Sequence, residues 1–296
     1  MNFQAGCRTV IVQDPEDGTA FPLLLLYPAL ASENPVPLGP YILEAAADAA
    51  PAPGTFPLVL ISHGTGGSPL VYRDLARFLA RQGFVVGLPE HPFNNRKNDS
   101  LAHTLQNLHN RPRHLRVTID WCYRSELFAP CLQADTVALI GHSMGGYTAL
   151  ALAGGVPCSV PHESPDRLPH TVHIAADPRL KALVLLAPAA AWFRLPGALT
   201  AVHQPVLLMV GDNDDYTAPD LHARIVREGL PDPGTLDYRL IPGAGHFCFL
   251  SPFPAAMSRP DFPPAQDPPG FDRAGFQPAF HTSVLEFLRR HLPPPR

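Results

Sequence analysis
Ser143, His246 and the acids Asp212, Asp214 and Asp215 are the residues of this 296-residue chain whose types and order suit nucleophilic attack on a carbonyl carbon. A serine hydroxyl is a poor nucleophile until a base takes its proton, and the base needs an acid to hold its tautomer and stabilise the imidazolium. Ser143 lies in Gly141-His-Ser-Met-Gly145, directly after the apolar run Thr136 to Ile140 and before the helix-prone Tyr147 to Ala153. Glycines on both sides let the backbone turn sharply from strand to helix and lift the hydroxyl clear of both. Three fixed residues alone match many ordinary glycine-serine turns, so the flanking strand and helix carry the argument more than the motif does. The acids follow the apolar run Val206 to Val210, and His246 follows the next strand in Pro242-Gly-Ala-Gly-His-Phe247. All three sites sit at carboxyl ends of strands, in the order serine, acid, histidine. Acids ahead of helices are usually N-caps, so this reading leaves the choice among the three aspartates open.

A negative oxygen formed in such a reaction needs backbone N–H donors. Met144, the residue after the nucleophile, is one candidate. Thr65 in His63-Gly-Thr-Gly-Gly67, just after the apolar run Leu58 to Ile61, is the other. A phosphate-binding glycine loop is the competing account, but these glycines fit neither G-x-G-x-x-G nor a Walker pattern with its lysine.

The elements that must position these groups are legible as short runs that are apolar at every position: Leu58 to Ile61, Phe84 to Leu88, Val137 to Ile140, Leu183 to Leu186 and Val206 to Val210. Unbroken apolar runs imply strands covered on both faces. Helical patterns lie between them at Val71 to Gln82, Arg113 to Leu127, Met144 to Ala153 and Ala218 to Glu228. The alternation predicts an α/β doubly wound sheet. Thr9 to Val12 and Phe21 to Tyr27 flank the turn Asp14-Pro-Glu-Asp-Gly18 and predict an antiparallel edge at the N-terminus. Tyr238 to Ile241 and Pro278 to His291 predict a last strand and a closing helix. Prolines cluster in 35–57, 157–169 and 251–278, which read as loops.

Charged residues are 16% and net charge is −4, so there is apolar material for one large core and no electrostatic footprint for nucleic acid or an anionic membrane. The expectation is one domain over 1–296, a small-molecule substrate, no nucleic-acid partner and no membrane span. The N-terminus shows no secretory pattern, and five cysteines without metal-ligand spacing suit reduced thiols in a cytoplasm. A Cys122–Cys131 bridge is the alternative for an exported protein.

Pro57 to Ser68, Gly83 to Val86, Glu90 to Pro92, Arg111 to Arg113, Gly141 to Tyr147, Gly243 to Phe247 and Asp267 to Asp272 together resemble the bacterial α/β-hydrolases usually labelled predicted dienelactone hydrolases. These are similar to platelet-activating-factor acetylhydrolases and to cutinase-like polyester hydrolases. The resemblance implies an eight-stranded hydrolase sheet and hydrolysis of carboxylic esters of short to medium acyl chains by a Ser-His-Asp triad, without metal or organic cofactor. Lactone, thioester, amide or polyester substrates, or a non-catalytic ligand-binding protein on the same fold, are the alternatives. Cutinase-like relatives carry the acid in Asp-x-x-Ala-Pro, here Asp215 to Pro219, which points to Asp215 with Asp214 second. The residue after His-Gly supplies an oxyanion amide in acetylhydrolase-like relatives, which supports Thr65. True dienelactone hydrolases use a cysteine nucleophile, so Ser143 departs from that label.

Walls for a substrate are expected from Phe93, Tyr216 and Phe247, with small lid segments at 154–177 and 247–276. His91, His103, His109, His114, His162, His170 and His173 are expected at the surface or behind the site, and Arg111 to Arg116 on a solvated helix.

Overall fold
The computed structural model describes residues 2–296. The turn Asp14 to Gly18 joins β1 (Gln4–Gln13) to β2 (Ala20–Ala29), which pair antiparallel from Gln4 opposite Ala29 to Gln13 opposite Ala20. The acids of this turn face Arg113, whose guanidinium lies 3.1 Å from Asp14, 2.7 Å from Glu16 and 2.6 Å from Asp17.

The proline-rich stretch that follows is not the loop its composition suggests. It forms the hairpin β3 (Asn34–Leu38) and β4 (Tyr41–Ala47), with β3 outermost in the sheet. Pro35 and Pro37 are two residues apart, so both nitrogens face the free edge, where no ladder hydrogen bond is required. The sheet therefore has ten strands rather than eight.

The remaining strands are β5 (Phe56–Ser62), β6 (Val85–Pro89), β7 (Leu132–His142), β8 (Leu180–Leu186), β9 (Val206–Gly211) and β10 (Leu236–Ile241). They pair parallel in the order β10-β9-β8-β7-β5-β6, and β2, β1, β4 and β3 extend the sheet beyond β6. β2 runs antiparallel to β6, which gives the expected antiparallel N-terminal side. β5, β6 and β9 are buried at every position, as unbroken apolar runs require.

Five helices cover the two faces: α1 (Arg73–Arg81), α2 (Leu105–Arg124), α3 (Met144–Leu152), α4 (His222–Gly229) and α5 (Arg273–His291). Leu115 and Ile119 of α2, Leu150 of α3 and Val226 of α4 enter one core layer. Leu75 and Leu79 of α1 enter the other, with Phe280 and Leu288 of α5. Two helices begin earlier than their prolines suggest. α2 starts with a Thr104 cap, whose Oγ1 accepts from Asn107 N at 3.2 Å, and it runs through Pro112. Pro112 has no N–H for the Leu108 carbonyl one turn back, and the Tyr147 hydroxyl of α3 donates to that oxygen instead, at 2.9 Å. α5 starts at an Asp272 cap and runs through Pro278.

All five cysteines are unbridged and buried. Among the described residues, no helix is long and apolar enough to cross a membrane.

Candidate active site
Ser143 ends β7 and caps α3 with φ 55° and ψ −120°, a conformation that a non-glycine residue holds only where its surroundings impose it. Its N–H donates to Leu186 O at 3.0 Å, and its own carbonyl accepts from Gly146 N and Ala189 N, both at 2.8 Å. Gly141 and Gly145 make the turn possible: a Cβ on Gly141 would overlap the Gly145 carbonyl, and one on Gly145 the Ser62 carbonyl. α3 can thus pack hard against the end of β5. The serine stands half-buried at the top of the sheet.

His246 follows β10 and is buried. Its Nδ1 donates to Asp214 Oδ2 at 2.8 Å, and Asp214 is only 3% exposed. This corrects the expectation from Asp-x-x-Ala-Pro: Asp215 is exposed, and the carboxylate that meets the histidine is the preceding one. The loop after β9 turns so that Asp214 Oδ1 accepts from the backbone N–H groups of Tyr216 and Thr217, both at 2.8 Å, which draws its side chain inward. The Thr217 hydroxyl lies 2.8 Å from Asp214 Oδ2 and 3.2 Å from His246 Nδ1. Burial works against the charge of Asp214, yet the hydrogen bonds from His246 and Thr217 hold its pKa at about 2.

Behind the base stands His142, the residue before the nucleophile. Burial, then the neighbouring His246, lowers its pKa to about 3, so the ring is neutral. Its Nε2–H donates to the His246 carbonyl at 2.9 Å, which leaves Nδ1 to accept from the Tyr72 hydroxyl, also at 2.9 Å. The backbone of His246 is thereby tied to the strand that carries Ser143. Tyr216 stacks on the His246 ring at 5.1 Å between centroids and Phe247 meets it edge-on at 5.0 Å.

Thr65 and Gly64 occupy the loop after β5. A Cβ on Gly64 would lie 3.2 Å from the Ser143 Cβ, so this backbone passes directly over the serine. Neither the Thr65 N–H nor the Met144 N–H, at the first position of α3, donates to a protein group among the described residues. Both amides are therefore free to donate to a bound group.

The loop is braced from below by Arg111, which is wholly buried rather than solvated. It donates to Asn94 Oδ1 at 2.6 Å, Thr148 Oγ1 at 3.0 Å, Ser62 Oγ at 3.3 Å and the His63 carbonyl. Asn94 in turn donates to Thr65 Oγ1 at 2.7 Å and Asp99 Oδ1 at 2.6 Å. Burial lowers the Arg111 pKa to about 9, which leaves it charged at neutral pH, with neutral oxygens as its direct acceptors. His91 and His114 belong to the same buried network: Ser62 Oγ lies 2.9 Å from His91 Nε2, and His91 Nδ1 lies 3.4 Å from His114 Nδ1. Sequence reasoning missed this brace because a polar residue on an amphipathic helix reads as exposed until the helix is docked.

Of the expected walls, Tyr216 and Phe247 border the cavity that contains Ser143 and His246. Phe93 does not border it. It is exposed in the loop after β6, at φ 59°. The segment 247–276 contributes Leu250, Phe253, Phe262 and Pro264 to the same cavity, and 154–177 contributes Glu163 to a second cavity on the far side of Ser143. His103, His109, His162 and His173 are exposed and His170 is half-buried.

A family model described as Chlorophyllase matches residues 33–178, a span that holds Thr65, Ser143 and Met144 and stops before Asp214 and His246. No curated relative matches the chain. Among solved structures, the chain is similar to a ferulic acid esterase from Streptomyces cinnamoneus, at 20% identity and a TM-score of 0.67 over 99% of this chain and 91% of that one. The fold is that of the α/β-hydrolases.

Proposed function
We propose that the protein is a serine esterase that hydrolyses carboxylic esters of short to medium acyl chains through an acyl-enzyme. The observation that carries this reading is the meeting, at one cavity, of a serine at φ 55° with a buried imidazole bonded at 2.8 Å to a buried carboxylate. Ser143 Oγ attacks the ester carbonyl while His246 Nε2 takes its proton, and the same nitrogen then delivers that proton to the departing alcohol. Asp214 holds the Nδ1–H and balances the imidazolium. The Thr65 and Met144 amides receive the oxyanion. Water, with His246 again as base, releases the acid and restores Ser143. This sequence of steps calls for no metal or organic cofactor. Similarity to a protein named as an esterase supports esters over amides, and cavities of about 260 and 300 Å³ beside Ser143 support small substrates.

The test is hydrolysis of p-nitrophenyl esters from acetate upward by the wild type and Ser143→Ala, with fluorophosphonate labelling of the folded protein. Serine-dependent turnover is expected, with kcat lower in the variant by about 10⁴-fold or more. Near-normal turnover without Ser143, or failure of the phosphonate to label it, would reject the assignment.

A further inference from the structure
Ser143 stands between two chambers. The first is bounded by His246, Phe247, Leu250, Phe253, Phe262 and Arg96. The second lies past Thr65 and Tyr216 and is bounded by Met144, Thr217, Trp192 and Glu163. His246 borders the first chamber and not the second. In an acyl transfer of this type the leaving oxygen must take its proton from the imidazole that served as base. The alcohol portion of an ester therefore belongs in the first chamber, and the acyl portion in the second.

Arg96 is the one arginine or lysine that borders the first chamber, and no aspartate or glutamate borders it. The residue is exposed, and its guanidinium carbon lies 5.5 Å from the centre of the Phe262 ring, which lines the same chamber. Its backbone N–H donates to Gly67 O at 2.8 Å, while among the described residues its guanidinium has neither a hydrogen-bond nor an ion-pair partner. The cations around it are paired: Lys97 lies 3.2 Å from Glu90, Arg259 3.3 Å from Asp261 and Arg273 2.7 Å from Asp267. Asp99, against Gly66, accepts from Asn94 at 2.6 Å. The turn that carries Arg96 is held firmly. Asn95 N donates to Asn98 O at 2.9 Å, Asn95 Oδ1 accepts from Lys97 N at 2.9 Å and Asn98 N at 3.1 Å, and Asn95 Nδ2 donates to His91 O at 2.8 Å. Together with the bond to Gly67, these fix the Arg96 backbone to the loop of Thr65. The second chamber differs in charge, with the Glu163 carboxyl on its wall and no arginine or lysine.

We infer that Arg96 is a specificity-determining residue for the alcohol portion of the substrate, and that the favoured esters carry a carboxylate there, at the end of an apolar spacer that lies along the aromatic wall. The inference rests on the esterase reading. A guanidinium offers two parallel N–H groups to one carboxylate, and the pair is screened less beside an apolar wall than in open water. One cation matches a singly charged carboxylate rather than a dianionic phosphate. With a net charge of −4 the molecule as a whole does not attract an anion, so the local charge decides.

The experiment compares kcat/KM for the butyrate ester of 6-hydroxyhexanoate and for its uncharged mimic, the butyrate ester of 6-hydroxyhexanamide, with shorter and longer spacers to find the reach, in the wild type, Arg96→Gln and Arg96→Glu. The wild type is expected to favour the carboxylate by about fivefold or more at the best spacer. In Arg96→Gln the preference should fall to about 1.5-fold or less, and Arg96→Glu should favour the amide. A ratio of two substrates on one preparation does not depend on how much of a variant is folded. A second comparison needs no variant: monopropyl adipate against its primary amide places the carboxylate on the acyl portion, where the wild type should show no such preference. Ser143-dependent hydrolysis without a preference for the carboxylate, a preference that survives in Arg96→Gln, or an equal preference for the carboxylate on the acyl portion would each overturn the inference and leave the esterase reading intact. Absence of any Ser143-dependent hydrolysis would overturn both.

Discussion

Asp214 and Asp215 are adjacent and chemically identical, yet one is buried against His246 and the other faces solvent. The difference is one turn of backbone. The N–H groups of Tyr216 and Thr217 converge on the Asp214 carboxylate, and the next side chain must then leave on the other side. A spacing counted back from Ala218 and Pro219 cannot see this, because it measures sequence distance and not the direction of a Cα–Cβ bond. Exchange of each acid tests the outcome: Asp214→Asn should lower kcat for p-nitrophenyl butyrate by about 10⁴-fold, since the amide no longer holds the productive tautomer of His246. Asp215→Asn should leave kcat within about threefold, as expected of an exposed residue without a partner in the site. The reverse pattern would return the role to Asp215. The places of Ser143 and His246 just after strands are legible because the apolar runs mark those strand ends.

At the scale of elements, glycine and proline read differently. Gly141 and Gly145 sit where backbones nearly touch, and the sequence signal for that is strong because no other residue fits. Proline was over-read: it predicted a loop at 35–57, where an edge hairpin forms, and helix starts at Arg113 and Pro278, where α2 and α5 run through. A missing N–H matters only where an acceptor depends on it: at the free edge of β3 no ladder bond is required, and inside a helix another donor can serve the carbonyl. For Pro112 it is Tyr147, 2.9 Å from Leu108 O. A double-mutant cycle checks this. Tyr147→Phe should cost about 1–3 kcal/mol in the wild-type background. In the Pro112→Ala background, where the new N–H can serve the same carbonyl, the cost should fall by about 1 kcal/mol, read from urea unfolding. Equal costs in both backgrounds would mean that Tyr147 does not replace the missing helical bond.

Over the whole molecule, the unexpected feature is the number of histidines kept neutral in the interior. Burial first, and neighbouring cations or imidazoles second, lower the pKa of His63, His114 and His142 to about 3 each, and push His91 well below its ordinary value. Above pH 6.5, the ordinary histidine value, neither the native nor the unfolded chain binds these protons. Below it the unfolded chain binds them and the native state does not until about pH 3, so stability falls as pH falls through that window. Each such histidine adds a slope of up to about 1.4 kcal/mol per pH unit. Asp214, held at about 2 against an ordinary 3.8, adds its loss only below pH 3.8. Urea unfolding at pH 7.5 and 5.0 should therefore show a marked loss of stability at the lower pH; a flat profile would contradict buried neutral histidines.

What the sequence by itself determined was local: the strands covered on both faces, the hairpin at the N-terminus, the strand-to-helix turn at Ser143, the place of His246 and the loop of Thr65. Each depends on neighbours within a few residues, through periodicity or glycine sterics. Only the tertiary structure decided which aspartate meets the histidine, that Arg111 lies buried beneath the Thr65 loop, and that His142 ties the His246 backbone to the strand of Ser143. Those outcomes depend on which side chain points inward once separate elements are packed, and that direction is set by contacts between residues tens of positions apart.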